Sequence, residues 1–244
     1  RITASHSGQS TSIAPLVPRV AAQPRTVRLL YLAPQDRDFR TDYERAIRAA
    51  FVDIQDWYRR QMGGPVFTLY GLQIERCRLT READFYVSDT YSKVLSDSQR
   101  CLPVRRGDPS MVWALYADVG HGCNLPGRVG VGSLGLTIMG QEDLQGLNDE
   151  PQVHDGCQIV PKLTVGRWRG GGAHELGHTF GVPHPPGCDA GASDCDRNAL
   201  MWSGYSAYPN TYLRDDEKAR LSASPFFGSA SSSAPLWDRD GRPR

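Results

Sequence analysis

The sequence predicts an α/β (α+β) fold in which a mixed, twisted sheet packs against a long helix, with a second helix carrying a candidate site and a small, irregular C-terminal part. Three stretches predict it. Residues 26–32 have strand composition, and residues 41–62 place apolar side chains at three- and four-residue spacing, which is typical of an amphipathic helix. Residues 110–119 form a nearly continuous apolar run, as expected for a central strand covered on both faces.

The composition of the 244-residue chain fits one sizeable domain. Residues 26–227 are predicted to form it, after a flexible N-terminal arm or pro-segment remnant at 1–25 and before a linker or tail at 228–244. The net charge of +1 does not indicate a nucleic-acid partner. No apolar run approaches the roughly twenty residues that a membrane span requires. We also expect a monomer.

The six cysteines indicate an oxidising, extracytoplasmic location. None belongs to a Cys-x-x-Cys pair, so three disulfides are the better interpretation of the even number. Pairing between neighbours in sequence predicts Cys77–Cys101, Cys123–Cys157 and Cys188–Cys195, although six cysteines allow fifteen connectivities. Of these, Cys188–Cys195 would close the loop just after the candidate site. A free cysteine that binds metal in a latent form is the alternative, and the even number argues against it.

The long helix is predicted to begin with Thr41 or Asp42 as its N-cap and to end at Gly63 and Gly64. We expect its apolar stripe to lie in the core; the stripe consists of Tyr43, Ile47, Ala50, Phe51, Ile54, Trp57 and Tyr58.

Shorter elements are predicted between the long helix and the candidate site. Residues 66–74 predict a second strand, and residues 91–99 predict a helix or a loop. Residues 127–140 are dense in glycine and predict an extended strand or hairpin near a sheet edge. Such an edge can bind an extended peptide as an added strand, and a purely structural hairpin is the alternative.

Three further stretches in the second half of the chain lead to separate predictions. The acidic residues 141–155 are predicted to form a solvated loop; calcium (Ca2+) is conceivable there, but the spacing matches no calcium-binding loop. The glycines at 170–172 each cost about 1 kcal/mol in a helix, so either the next helix begins after them or another backbone passes too close for side chains. Residues 215–221 predict a short closing helix capped by Asp215 or Asp216.

The candidate site is the stretch from His174 to His184. On a helix, His174 and His178 lie one turn apart on the same face, so both imidazoles can reach one metal ion. Glu175 lies off that row and can hold a water beside the metal. Gly181 would end the helix and turn the chain back towards His184 as a third ligand. Three imidazoles with one open position suit a catalytic zinc ion (Zn2+).

This stretch resembles the zinc-binding signature of the metzincin peptidases, His-Glu-x-x-His-x-x-Gly-x-x-His, and matches it at every fixed position. The resemblance implies a metzincin-like zincin domain in which an antiparallel edge strand holds the substrate above the active-site helix. It also implies that Met201 forms the methionine turn beneath the zinc ligands. Some metzincins carry a tyrosine two residues after that methionine, where this chain has Ser203. The subfamily stays open.

The aromatic residues after Met201 are candidates for a substrate pocket. If the fold is metzincin-like, Trp202, Tyr205, Tyr208 and Tyr212 would wall the pocket that receives the residue after the scissile bond. Tyr205 or Tyr208 is a further candidate for a phenol near the metal.

Together these features predict a secreted zinc endopeptidase that acts on a protein or peptide substrate. Glu175 would act as the general base on a zinc-activated water. Two alternatives stay open: a zinc hydrolase of a non-protein amide such as the cell wall, and a non-catalytic binding module stabilised by zinc.

Overall fold

A computed structural model describes residues 25–64, 66–71, 73–120, 130–151 and 163–227, together with residues 238, 240 and 242. The predicted N-terminal arm and C-terminal tail lie almost entirely outside these residues. The elements in chain order are β1 (Thr26–Ala33), α1 (Thr41–Met62), β2 (Thr68–Leu69), β3 (Glu75–Arg78), α2 (Ala83–Tyr86), α3 (Thr90–Cys101), β4 (Met111–Ala117), β5 (Val131–Ser133), β6 (Leu136–Met139), α4 (Gln141–Leu147), α5 (Val165–Thr179), a 3-10 helix (Ser203–Ala207) and α6 (Asp215–Ala223).

The core of the molecule is a mixed sheet with the strand order β2-β1-β4-β6-β5, and β3 pairs with the second half of β1. All pairs are parallel except β5 with β6. Strands β1 and β4 are central and almost wholly buried, which confirms the predictions for residues 26–32 and 110–119. The predicted α/β class is therefore confirmed. None of the helices within the described ranges combines the length and the apolar character needed to cross a membrane.

Helix α1 packs its apolar stripe against the sheet, as predicted. All seven residues of the stripe are buried, and Gly63 ends the helix with a φ of 66°. The predicted N-cap was wrong by one or two residues, because Arg40 is the last residue with extended backbone. The Asp42 carboxylate lies in the first turn instead, where it accepts hydrogen bonds from the N–H of Tyr43 and from the Arg40 guanidinium. Helix α6 likewise begins after Arg214, not after Asp215 or Asp216.

The segment after α1 differs from the prediction of one strand at 66–74. A turn at Gly71, with a φ of 67°, divides it into β2 and β3, which pair with different halves of β1. The segment predicted as helix or loop at 91–99 is helix α3, which Asp89 caps by accepting a hydrogen bond from the N–H of Ser92.

Residues 130–140 contain the hairpin that the glycine-rich segment predicts, with β5 at the sheet edge. The prediction of a solvated acidic loop at 141–155 was wrong for residues 141–147, which form helix α4 with Glu142 and Asp143 only 3% and 1% exposed; residues 152–155 lie outside the described residues. The Asp143 carboxylate caps this helix by accepting a hydrogen bond from the Gly140 N–H. Burial raises the pKa of Asp143 to about 8.

Two disulfides confirm the predicted pairs Cys77–Cys101 and Cys188–Cys195. The first joins β3 to the end of α3, and the second closes the loop that follows His184. The third predicted pair, Cys123–Cys157, lies outside the described residues. Every cysteine within them is in a disulfide, so none of these four is a free metal ligand.

Candidate metal centre

Helix α5 carries the candidate site and runs through all three glycines. A Cβ atom at Gly170 would lie 2.1 Å from the carbonyl oxygen of Tyr205, and one at Gly172 would lie 3.1 Å from the hydroxyl oxygen of Tyr116. At Gly170 the structure therefore shows the second of the two predicted alternatives, a neighbouring backbone that passes too close for a side chain, whereas the atom near Gly172 belongs to a side chain. Thr164 caps the helix by accepting a hydrogen bond from the N–H of Arg167.

The three predicted histidines come together at the end of α5. His174 and His178 lie one turn apart on α5, and the chain reverses at Gly181, with a φ of 86°, to bring His184 beside them. One ring nitrogen from each lies within 4.8 Å of the other two. Among the described residues this is the only such cluster of histidine, cysteine or acidic side chains.

In both helical histidines, the Nδ1 atom already has a hydrogen-bond partner. The Nδ1 atoms of His174 and His178 lie 2.8 Å from the carbonyl oxygens of Leu200 and Val182. Because carbonyl oxygens can only accept, both histidines carry their proton on Nδ1. Their unprotonated Nε2 atoms then face each other at 3.1 Å, which is unfavourable unless a cation lies between them. Two nitrogens bound to one tetrahedral zinc at 2.0–2.1 Å would lie about 3.3 Å apart, so the donor set fits zinc.

The surroundings of His174 and His178 favour their neutral forms. Burial, followed by the charge of His178, lowers the pKa of His174 to about 3. Burial also lowers the pKa of His178. Neutral imidazole is the form that binds a metal ion, so both helical histidines are ready to bind at neutral pH.

Glu175 lies beside this cluster and beneath the edge strand. Its carboxylate accepts a hydrogen bond from the backbone N–H of Gly132 on β5. A Cβ atom at Gly132 would lie 2.3 Å from the carbonyl oxygen of Glu175, so only glycine allows this approach of strand to helix. Burial raises the pKa of Glu175 to about 7, against the Gly132 hydrogen bond and the charge of Arg167, which both lower it.

Met201, the residue predicted to form the methionine turn, packs against α5. A Cβ atom at Gly177 would lie 2.4 Å from the Met201 sulfur, and Met201 is fully buried. The carbonyl oxygen of the preceding residue, Leu200, is the partner of His174. Residues 200 and 201 therefore contact helix α5 and orient the ring of His174.

The four predicted pocket aromatics occupy different places. The Trp202 ring lies 5.0 Å from the ring of His184, and the Tyr205 ring lies 5.3 Å from the ring of His174. Tyr208 is buried, and its hydroxyl donates to Asp53. The exposed Tyr212 donates its hydroxyl to Asp196.

Sequence reasoning missed three residues at this site. Gly132 was predicted only as part of an edge strand. The Arg167 guanidinium lies 4.8 Å from the centre of the Tyr205 ring. The carboxylate of Asp189 lies 2.8 Å from Nδ1 of His184. Helical spacing could have placed Arg167 two turns before His174, but no sequence signal distinguishes Asp189 from the other acid in its loop, Asp194.

Neither a protein-family model nor a curated protein sequence matches this chain. Among solved structures, it resembles catalytically inactive OgpA from Akkermansia muciniphila in complex with an O-glycopeptide (glycodrosocin) substrate, with a TM-score of 0.55 and 17% identity over 86% of this chain and 63% of OgpA. Wild-type OgpA gives a TM-score of 0.52 and 20% identity over 86% of this chain and 64% of OgpA. The chain has the OgpA fold.

A third solved structure, archaemetzincin from Methanopyrus kandleri, matches with a TM-score of 0.44 and 15% identity, over 85% of this chain and 98% of that one. The chain spans less than two thirds of the length of OgpA, and at these identities the likeness to OgpA shows the fold alone.

Proposed function

We propose that the protein is a zinc-dependent endopeptidase with Glu175 as its general base. The observation that carries the proposal is the pair of unprotonated Nε2 atoms of His174 and His178, facing each other beside a buried carboxylate. The OgpA fold supports it, because OgpA was crystallised with a peptide-based substrate.

The three histidines would hold the ion through Nε2, since their Nδ1 atoms already have partners. Zinc bound there would polarise the peptide carbonyl and activate a water as the nucleophile. The Gly132 N–H holds Oε2 of Glu175, so Oε1 is the oxygen available to take the proton of that water. Glu175 then passes this proton to the amide nitrogen of the leaving group.

Strand β5 is the proposed binding edge for the peptide. It pairs with β6 on one side, and no other described strand pairs with its outer side. A peptide added antiparallel to β5 would lie across α5 at Glu175, and its backbone would be held in an extended form. Trp202 and Tyr205 flank the histidines, and we propose them as walls of the pocket after the scissile bond.

We also propose that the protein acts outside the cytoplasm. The two disulfides support this location, because such bonds persist in oxidising compartments.

The proposed function is tested by digestion of unmodified peptides, O-glycopeptides and murein with the wild type, Glu175→Gln and the exposed control Glu82→Gln. We expect peptide cleavage that a chelator abolishes, a loss of about 10²–10⁴-fold in Glu175→Gln with zinc retained, and no loss in Glu82→Gln. Peptide cleavage that survives in Glu175→Gln would contradict the assigned base. Turnover of murein alone would instead establish a cell-wall amidase, and bound zinc without turnover of any substrate would establish a binding module.

A further inference from the structure

The three histidines of the metal centre are held in unequal ways. Buried backbone carbonyls fix His174 and His178: Leu200 is 0% exposed, Val182 is 1% exposed, and both are themselves held by backbone hydrogen bonds. The orienting partner of His184 is instead the side chain of Asp189, which is 74% exposed. The third ligand therefore depends on a surface carboxylate.

The loop that carries Asp189 is short and closed by the disulfide Cys188–Cys195. Its backbone hydrogen bonds are local turns, such as those from Ala190 and Ala192 to the carbonyl oxygen of Gly187. Cys188 is buried next to the exposed Asp189. The disulfide thus holds the backbone at the residue that precedes the carboxylate.

We propose that Asp189 is a positioning residue for His184 and that the Cys188–Cys195 bond holds it in place. This inference rests on the proposed zinc site. By accepting a hydrogen bond from Nδ1–H of His184, the carboxylate keeps the proton on that nitrogen and turns Nε2 towards the other two ligands. Because His184 follows the turn at Gly181 and is not on α5, the helix does not supply this orientation.

The primary test is zinc affinity, measured by competition with a chromophoric chelator. Loss of such an orienting partner typically weakens metal binding about 10–100-fold, and we expect this for Asp189→Ala. Asp189→Asn should lose less zinc affinity than Asp189→Ala, because the amide oxygen can still accept a hydrogen bond from Nδ1–H of His184. The matched control is Asp194→Asn, which removes the same charge from an exposed residue of the same loop and should bind zinc as the wild type does.

A second readout separates orientation from folding. The visible spectrum of the cobalt-substituted protein should change in Asp189→Ala and not in Asp194→Asn, whereas the Tm of the metal-free protein should stay the same in both. Equal zinc affinity in Asp189→Ala and the wild type would overturn the inference, and so would equal losses in Asp189→Ala and Asp194→Asn. A wild type that binds no zinc would contradict the proposed function itself.

The role of the disulfide is tested with the double variant Cys188→Ala/Cys195→Ala. We expect about a tenfold or greater loss of zinc affinity, similar to that of Asp189→Ala. The control Cys77→Ala/Cys101→Ala removes the disulfide between β3 and α3 and should keep the affinity of the wild type, even if its Tm falls. Unchanged affinity in the first double variant would overturn the role of the disulfide.

Discussion

The backbone N–H of Gly132 donates a hydrogen bond to the carboxylate of Glu175, and this contact joins the edge strand to the helix of the metal centre. The same contact orients the proposed base and sets the height of the proposed peptide-binding edge above it. Both properties depend on the absence of a side chain at one position.

Gly132→Ala should therefore impair both catalysis and stability. The added methyl group would lie 2.3 Å from the Glu175 carbonyl oxygen, so β5 must move away from α5. We expect kcat/KM on a peptide substrate to fall by about 10²-fold and the free energy of unfolding by about 1–3 kcal/mol. Gly64→Ala is the control, because a Cβ there has no atom within 4 Å. Unchanged activity in Gly132→Ala would show that the contact is dispensable.

Two neighbouring glycines of α5 should respond differently to alanine. At Gly170 the new Cβ would meet the Tyr205 backbone at 2.1 Å, whereas at Gly171 it would meet only the flexible end of Arg167 at 2.8 Å. We expect Gly170→Ala to lower the free energy of unfolding by about 1–3 kcal/mol despite the higher helix propensity of alanine. The free energy of unfolding should fall less in Gly171→Ala than in Gly170→Ala, as measured by urea denaturation. Equal losses of stability in the two variants would mean that the contact with the Tyr205 backbone does not explain the glycine at position 170.

Tyr208→Phe tests whether this tyrosine acts in the fold or in the pocket. The buried Tyr208 donates its hydroxyl to the half-buried Asp53 at 2.9 Å, so removal of this hydroxyl should lower the free energy of unfolding by about 1–2 kcal/mol. Because Tyr208 lies in the interior, kcat and KM should stay unchanged. Tyr212→Phe removes an exposed hydroxyl and should change stability by less than about 0.5 kcal/mol. A tenfold loss of kcat/KM in Tyr208→Phe would instead support its predicted role as a pocket wall.

Glu217 should make the stability of the wild type dependent on pH. Burial raises its pKa from 4.5 to about 7, and Oε1 has no hydrogen-bond partner among the described residues. The folded state therefore binds this proton more tightly than the unfolded state, so its contribution to stability is present below about pH 4.5 and is lost as the pH rises through about 7. The capping oxygen Oε2, which accepts from the N–H of Arg214, can be replaced by an amide oxygen.

The free energy of unfolding of Glu217→Gln, relative to that of the wild type, should consequently rise by about 1–2 kcal/mol from pH 5 to pH 8. The measurement is urea denaturation at both values, with the exposed Glu82→Gln as the control that should run parallel to the wild type. A constant difference between Glu217→Gln and the wild type over this range would show that Glu217 does not titrate there.

Periodicity and spacing predicted the parts of the molecule that depend on local sequence. Helix and strand geometry accounts for the seven apolar residues of α1 and for the central strand at residues 111–117. Sequence spacing likewise predicted that His174, His178 and His184 lie close together. The turn at Gly181 was predictable because few other residues adopt its φ of 86°.

The remainder depends on contacts between distant segments. Asp143 was expected in solvent, but it caps a helix in the interior, and composition does not reveal such a partner. Tyr205 and Tyr208 look alike in sequence, yet one flanks the histidines and the other donates to Asp53. The pairing of His184 with Asp189 depends on how a short loop folds back, which spacing alone does not encode.

The shortness of β5 limits how strongly it could select a peptide at the proposed binding edge. Its three described residues could offer an incoming chain only a few main-chain hydrogen bonds, each contributing about 1 kcal/mol, and the Gly132 N–H already donates to Glu175. Every peptide can form these main-chain hydrogen bonds whatever its sequence, so they do not distinguish one peptide from another. They are also too few to hold a peptide for long by themselves. Recognition at the proposed site would then depend mainly on the side chains beside the scissile bond.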